Sequence, residues 1–145
     1  MNIFSKRSIF FQKQNSVIAI GEVYINQGDT LKLYCDSLNY NGTNKKMYAH
    51  GNVKLLNNEM ELNSKNLELD RVNNEAFFYD GGRIIDSLSD ISSINGKYFI
   101  DNKKYVFKND VVVKDQNRLI ESEMMDYYLD SEKTYFYKKT SIFGD

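Results

Sequence analysis

GNVKLLNNEMELNSKNLELDRVNNEAFFYD, residues 51–80, is built from apolar couplets at alternate positions: Val53/Leu55, Met60/Leu62, Leu67/Leu69 and Ala76/Phe78. Polar breaks separate them at Asn57-Asn58, at Ser64-Lys65-Asn66 and from Asp70 to Asn74. Side chains two apart on an extended chain share a face, so the stretch predicts four short half-buried strands joined by turns.

The same unit recurs on both sides. With the turn after the third couplet as origin, Asn41, Asp70, Asp101 and Asp130 fall at spacings of 29, 31 and 29. One residue earlier stand Tyr40, Leu69, Ile100 and Leu129, and three earlier Leu38, Leu67, Tyr98 and Tyr127. Ten earlier come Leu31, Met60, Ile91 and Ile120, and six later Met47, Ala76, Phe107 and Phe136. A fifth column holds Val23, Val53, Ile84 and Val112, preceded by Gly21, Gly51, Gly82 and, in the fourth copy, Asp110. Five apolar columns in register over four copies predict a repeat architecture of about 30 residues per unit.

Composition narrows the class. The 145 residues suit one domain with a real core. Nineteen Lys and Arg against 20 Asp and Glu give a net charge of −1, which offers no electrostatic footprint for nucleic acid. Proline is absent, as suits a chain in which nearly every stretch donates to a ladder. The 17 asparagines match the bias of an AT-rich genome and carry little functional weight. Cys35 is the one cysteine, so no internal disulfide forms. No apolar run reaches the roughly 18 residues that span a bilayer as a helix. Near the start, Lys6-Arg7 precedes Ile9-Phe10-Phe11, but Gln12 to Asn15 break the run before a signal-peptide core develops. A cytoplasmic protein, a fragment and a displaced start all remain open.

Residues 1–16 fit no repeat column and are expected to form a loosely ordered leader, with a single β-repeat domain over 17–145. The copies run from about 21 to 50, 51 to 80, 81 to 109 and 110 to the end. Residues 119–129 place Ile120, Met124, Tyr127 and Tyr128 on one helical face, but the matching positions of the other copies alternate, and the strand reading is taken. A unit this small cannot bury its apolar face alone, so the copies must stack. The expected fold is all-β: repeated short antiparallel strands in two facing sheets, a jelly-roll or flattened solenoid.

No chemistry-bearing motif stands out. There is no G-x-S-x-G and no Cys/His pair with an orienting partner. His50 sits in an expected turn and, with one cysteine, cannot assemble a zinc site. Glu121, Glu123 and Asp126 read as the solvated face of a strand, and Gly81-Gly82 lacks the following helix that a phosphate cradle needs. No catalytic residue, metal site or cofactor is expected.

The frame G-x-V, an apolar couplet, a Ser/Asp-x-L-x-Y-type couplet and a polar turn closing on the next G-N-V resembles the OstA-like proteins. It is carried by GEVYINQGDTLKLYCDSLNY (21–40), HGNVKLLNNEMELNSKNLEL (50–69) and FYDGGRIIDS (78–87). That family includes LptA-type periplasmic bridges of lipopolysaccharide transport and the N-terminal domain of the outer-membrane lipopolysaccharide translocon. The phrase QGDTLKLYCDSLNY with GNVKLL is most similar to its Bacteroidetes-type branch. The resemblance covers about residues 17–140 and departs from the family at the missing export signal and at Asp110. It implies an OstA-like β-jellyroll whose sheets do not close completely, and a non-enzymatic, periplasmic or outer-membrane-associated protein that binds lipopolysaccharide acyl chains. The implied groove lining is Val23, Leu31, Leu33, Leu38, Tyr40, Val53, Leu55, Met60, Leu62, Leu67, Leu69, Phe78, Ile91, Ile100 and Phe107. In plainer terms these residues are core. A closed structural module that acts only by pairing its sheet edges is the alternative.

Implied partners are other OstA-like domains or further copies of this chain, added head to tail at the expected end strands Val17–Ile25 and Thr134–Phe143. Carbohydrate binding on an outer face carrying Tyr24, Tyr34 and Tyr48 is a third reading.

Overall fold

The computed structural model describes residues 1–144; Asp145, the last residue of the expected domain, lies outside them. The described residues form twelve strands and no helix: β1 (Asn2–Phe4), β2 (Arg7–Phe11), β3 (Ser16–Gln27), β4 (Leu31–Asn41), β5 (Lys46–Leu56), β6 (Met60–Asp70), β7 (Glu75–Asp86), β8 (Asp90–Ser93), β9 (Asn95–Phe99), β10 (Lys104–Lys114), β11 (Arg118–Tyr128) and β12 (Lys133–Gly144). All belong to one antiparallel sheet. From β3 to β8 and from β9 to β12 each strand pairs with the next, β8 and β9 together bridge β7 and β10, and β1 and β2 both lie against β3.

The sheet is folded over along one line. Most strands are 11 or 12 residues long and turn a corner midway, where the ladder registers shift. At these corners one strand carries one residue more than its neighbour, which is a β-bulge and bends the strand. Gly21-Glu22 face Asp36, Gly51-Asn52 face Lys65, and Asn109-Asp110 face Glu123. Both residues of those pairs hold left-handed φ, from 47° at Asn52 to 84° at Gly21. Asp110, at φ 52°, therefore keeps the bend without glycine, beside Asn109 at φ 69°. Asp and Asn are the non-glycine residues that tolerate this region best. At the Ile94 corner the strand is interrupted altogether, so β8 and β9 are its two halves.

A serine at the corner repeats with the fold. Ser64, Ser93 and Ser122 stand 29 residues apart, and each Oγ donates to the carbonyl two residues on, at 3.1, 2.8 and 3.1 Å. Cys35 occupies the same place one repeat earlier. Burial, with Asp36 nearby, pushes its thiol up to about 11, against a hydrogen bond from the His50 backbone. Cys35 is thus a small packed residue, not a thiolate.

The sheet begins sooner than the sequence suggests. Instead of a leader over 1–16, Asn2–Phe4 and Arg7–Phe11 pair with β3 on either side of a corner at Ser5-Lys6. Ser5 Oγ bonds the Arg7 carbonyl at 3.1 Å, and Lys6 N–H donates to the Gly21 carbonyl at 2.9 Å, as at the later corners. Val17–Ile25, expected at an edge, is therefore interior. The open edges are β1 and β2 at one end and β12 at the other.

The register of the third and fourth copies also differs from the sequence columns. Asn41, Asp70, Phe99 and Tyr128 are the equivalent positions, each 29 from the last, as the ladder through Lys46, Glu75 and Lys104 aligns them. Columns drawn through Asp101 and Asp130 sit two residues late. A slip of two leaves every side chain on its own face, so alternation does not reveal it.

Candidate functional site

The corner divides the inward side chains into two kinds. Beside the fold line, Val23, Leu38, Val53, Leu67, Phe78 and Phe107 are at most 2% exposed and form a packed core. Away from it the two half-sheets diverge. Leu33 and Leu55 of one half face Met47 and Leu69 of the other across a cleft of about 440 Å³. Ile25, Leu31, Met60, Tyr98 and Ile100 complete its apolar lining. Gln27, Asn57, Asp70, Arg71, Asn74 and Glu75 supply a polar rim at the turns.

The turns hold that rim in place. At one lip, Asn57 Oδ1 accepts the N–H groups of Glu59 and Met60, both at 2.8 Å. At the other, Asp70 Oδ1 accepts Val72 and Asn73 N–H at 2.9 and 3.0 Å, while Asn73 Nδ2 bonds Oδ2 at 2.9 Å. Bonds from the Asn73 backbone and side chain hold the Asp70 carboxyl below its ordinary range. Arg71 N–H donates to the Lys45 carbonyl at 3.1 Å, so the sheet ladder continues into the stacked turns. These Asx-type turns keep the lips charged and wet while the walls are hydrocarbon.

Of the fifteen residues implied as groove lining, Leu31, Leu33, Leu55, Met60, Leu69 and Ile100 border the cleft. Val23, Leu38, Val53, Leu62, Leu67, Phe78, Ile91 and Phe107 are buried in the core behind it, and Tyr40 packs partly buried against that core. Ile100 differs in kind: it is 39% exposed and belongs to a turn, equivalent to Arg71, and the wall residue at the Leu69 position is Tyr98. The two-residue slip put Ile100 in the wall column. Ile25, Met47 and Tyr98 line the cleft without having been singled out, although Met47 and Tyr98 stand in the sequence columns.

Other surfaces fit an apolar ligand less well. A shallower depression of about 690 Å³ at the corners of β5, β6 and β7 is bordered by Lys54, Lys65, Asp80, Arg83 and Asp110. Its charges of both signs suit water. On the outer face Phe4, Tyr24 and Tyr34 stack on one another, with ring centroids 5.9 and 4.9 Å apart. Their faces are turned to each other rather than out, which leaves little flat platform for a sugar. Among the described residues no group of three His, Cys, Asp or Glu is placed to hold a metal ion.

The sequence model of a family described as OstA-like protein matches residues 1–123, a span that includes β1 and β2. Among solved structures the chain is similar to LptH of Pseudomonas aeruginosa, described as the LptA-homologous periplasmic component of the conserved lipopolysaccharide transport device. The likeness has a TM-score of 0.43 at 10% identity and covers 99% of this chain and 94% of that one. No curated protein matches.

Proposed function

The chain belongs to the OstA-like protein family, and from that premise we propose that it is a periplasmic lipopolysaccharide-binding protein that shields acyl chains on their way to the outer membrane. The observation that carries this reading is the cleft between the half-sheets, with aliphatic walls and a charged rim. An acyl chain laid there leaves water while its head group stays at the turns. Ten buried methylenes would contribute about 8 kcal/mol gross at about 0.8 kcal/mol each. Association costs of about 4–15 kcal/mol offset that gain, so one chain binds weakly and several bind well. Action of this kind is passive: the protein binds and releases, and energy enters elsewhere.

The open edges support a partner reading within the same proposal. β12 ends the sheet with Tyr135, Ile142 and Phe143 at 47, 62 and 51% exposure. Its unpaired backbone groups are a template for another strand. β1 and β2 close the opposite end with exposed Phe4 and Phe10. Another OstA-like domain, or a second copy of this chain, would extend the cleft if added at the β1/β2 edge and would extend the sheet if added at β12.

The test is displacement of an apolar fluorescent probe. The purified protein is expected to take up the probe at a saturable site and to lose it when lipopolysaccharide is added. Probe uptake that never saturates points to a closed core and to the alternative, a module that acts only through its edges.

A further inference from the structure

The cleft is not uniform along the stack of strands. In the row of the turn-side half-sheet that faces it, paired residues run Tyr40, Met47, Leu69, Ala76, Tyr98, Tyr105 and Tyr127 from β4 to β11. Up to Ala76 the row is aliphatic apart from Tyr40, and the cleft lies open beside Met47 and Leu69. At Tyr98 it becomes three tyrosines on successive strands. Their rings stack, Tyr98 on Tyr105 at 4.3 Å and Tyr105 on Tyr127 at 6.2 Å, and Tyr105 is 2% exposed. Opposite them Ile84, Ile91 and Val113 are buried as well. Tyr98 is the last strand residue on the cleft wall, and on the next strand the inward Tyr105, Phe107 and Val113 are all buried.

We propose that the Tyr98–Tyr105–Tyr127 stack is a stop across the cleft, which confines an acyl chain to the side of β3 to β7 and sets the chain length this domain accepts. This rests on the acyl-binding reading above and adds the residues that determine its specificity. Burial and the neighbouring Glu59 raise the Tyr98 phenol, and burial with Asp86 raises that of Tyr127, so the stack stays uncharged around neutral pH. Stacked aromatic rings hold one another more firmly than their contact area alone accounts for, and a ring between rings has little room to swing aside.

The repeat itself supplies the mildest substitution. Leu69 stands one unit before Tyr98, so Tyr98→Leu restores the aliphatic wall with a residue the fold already carries there. The experiment titrates a series of saturated fatty acids of increasing length against the bound fluorescent probe, in the natural protein, Tyr98→Leu and Tyr98→Phe. In the natural protein affinity is expected to rise about fourfold per methylene and then to level off at a limiting length. In Tyr98→Leu the limit moves to longer chains; in Tyr98→Phe, which keeps the ring, it stays. Tyr127→Leu, at a partly buried position, serves as a second opening variant, and thermal melts establish that each variant is folded. Displacement that levels off at one length in all variants, or never levels off in the natural protein, overturns the stop and leaves acyl binding standing. A series in which no fatty acid displaces the probe removes the acyl-binding reading, and the stop with it.

Discussion

Gly96→Ala is expected to destabilise the fold more than any other single-methyl addition. A Cβ at residue 96 would lie 2.1 Å from Cε1 and 2.2 Å from Cζ of Phe78. That ring is 2% exposed and lies over Gly96 on β9, while a Cβ at Gly82 would meet its other edge at 2.3 Å. The two glycines make room for one aromatic side chain near the fold line, where it tilts against Phe107 at 6.4 Å between ring centroids. Overpacking a core typically costs about 1–3 kcal/mol, and here neither the ring nor the backbone has anywhere to go. The expected loss is about 3 kcal/mol or more, a large part of the roughly 5–15 kcal/mol that holds a domain of this size together. Phe78→Ala should cost about 3–5 kcal/mol by leaving the cavity. The two changes together should cost less than their sum, because removing the ring removes the clash. Urea titrations of the three variants measure this. A Gly96→Ala protein as stable as the natural one would show that the ring is not fixed where the structure places it.

The second large effect concerns binding rather than folding. Leu31 opens β4 at the lip of the cleft, partly buried against the core residues. Its partial exposure lets Leu31→Asp fold, but the carboxylate then faces any hydrocarbon in the cleft. Burying it there without a partner is costly, so apolar-probe affinity should fall more than tenfold, equivalent to about 1.4 kcal/mol. Glu68→Gln, on the outward face of β6 where Glu68 meets Lys46 at 3.7 Å, should leave probe affinity unchanged. Equal losses in both variants, measured by fluorescence titration, would mean that the probe reads general loosening of the sheet and not the cleft.

Much of this architecture is legible in the chain, and the misreadings share a cause. Alternation at Val53/Leu55 and Leu67/Leu69 states the strands and their inward faces directly. The step from Leu62 to Leu67 is odd, however, and an odd step looks like the end of a strand. In the structure it is the corner at Lys65, opposite the bulges of β5 and β7, where one long strand crosses from one half-sheet to the other. Periodicity cannot tell a corner from a turn, because both break the alternation. The slip that placed Ile100 in the wall is the complementary case: an even displacement leaves alternation intact, and only the ladder to Asn74 and Phe99 fixes the position. Asn15, Lys45, Asn74, Lys103 and Glu132 share left-handed φ near 50° at spacings of 30, 29, 29 and 29. Nothing in five unlike side chains announces that, so residues 1–16 looked like a leader. Which inward residues are core and which border an opening depends on the angle at the fold line, and no single strand's sequence carries that angle.

Lipid capture in the cell shows whether the cleft holds acyl chains. A photo-crosslinking residue at Leu69, 8% exposed on the cleft wall, is compared with one at Glu68, its outward neighbour on the same strand. Both proteins are directed to the periplasm of a cell that makes lipopolysaccharide and are irradiated there. A crosslinked lipopolysaccharide band is expected at Leu69 and none at Glu68. A folded protein that captures no lipid at Leu69, or captures it equally at Glu68, would rule out acyl binding in the cleft and leave the chain an edge-pairing module with a dry interior.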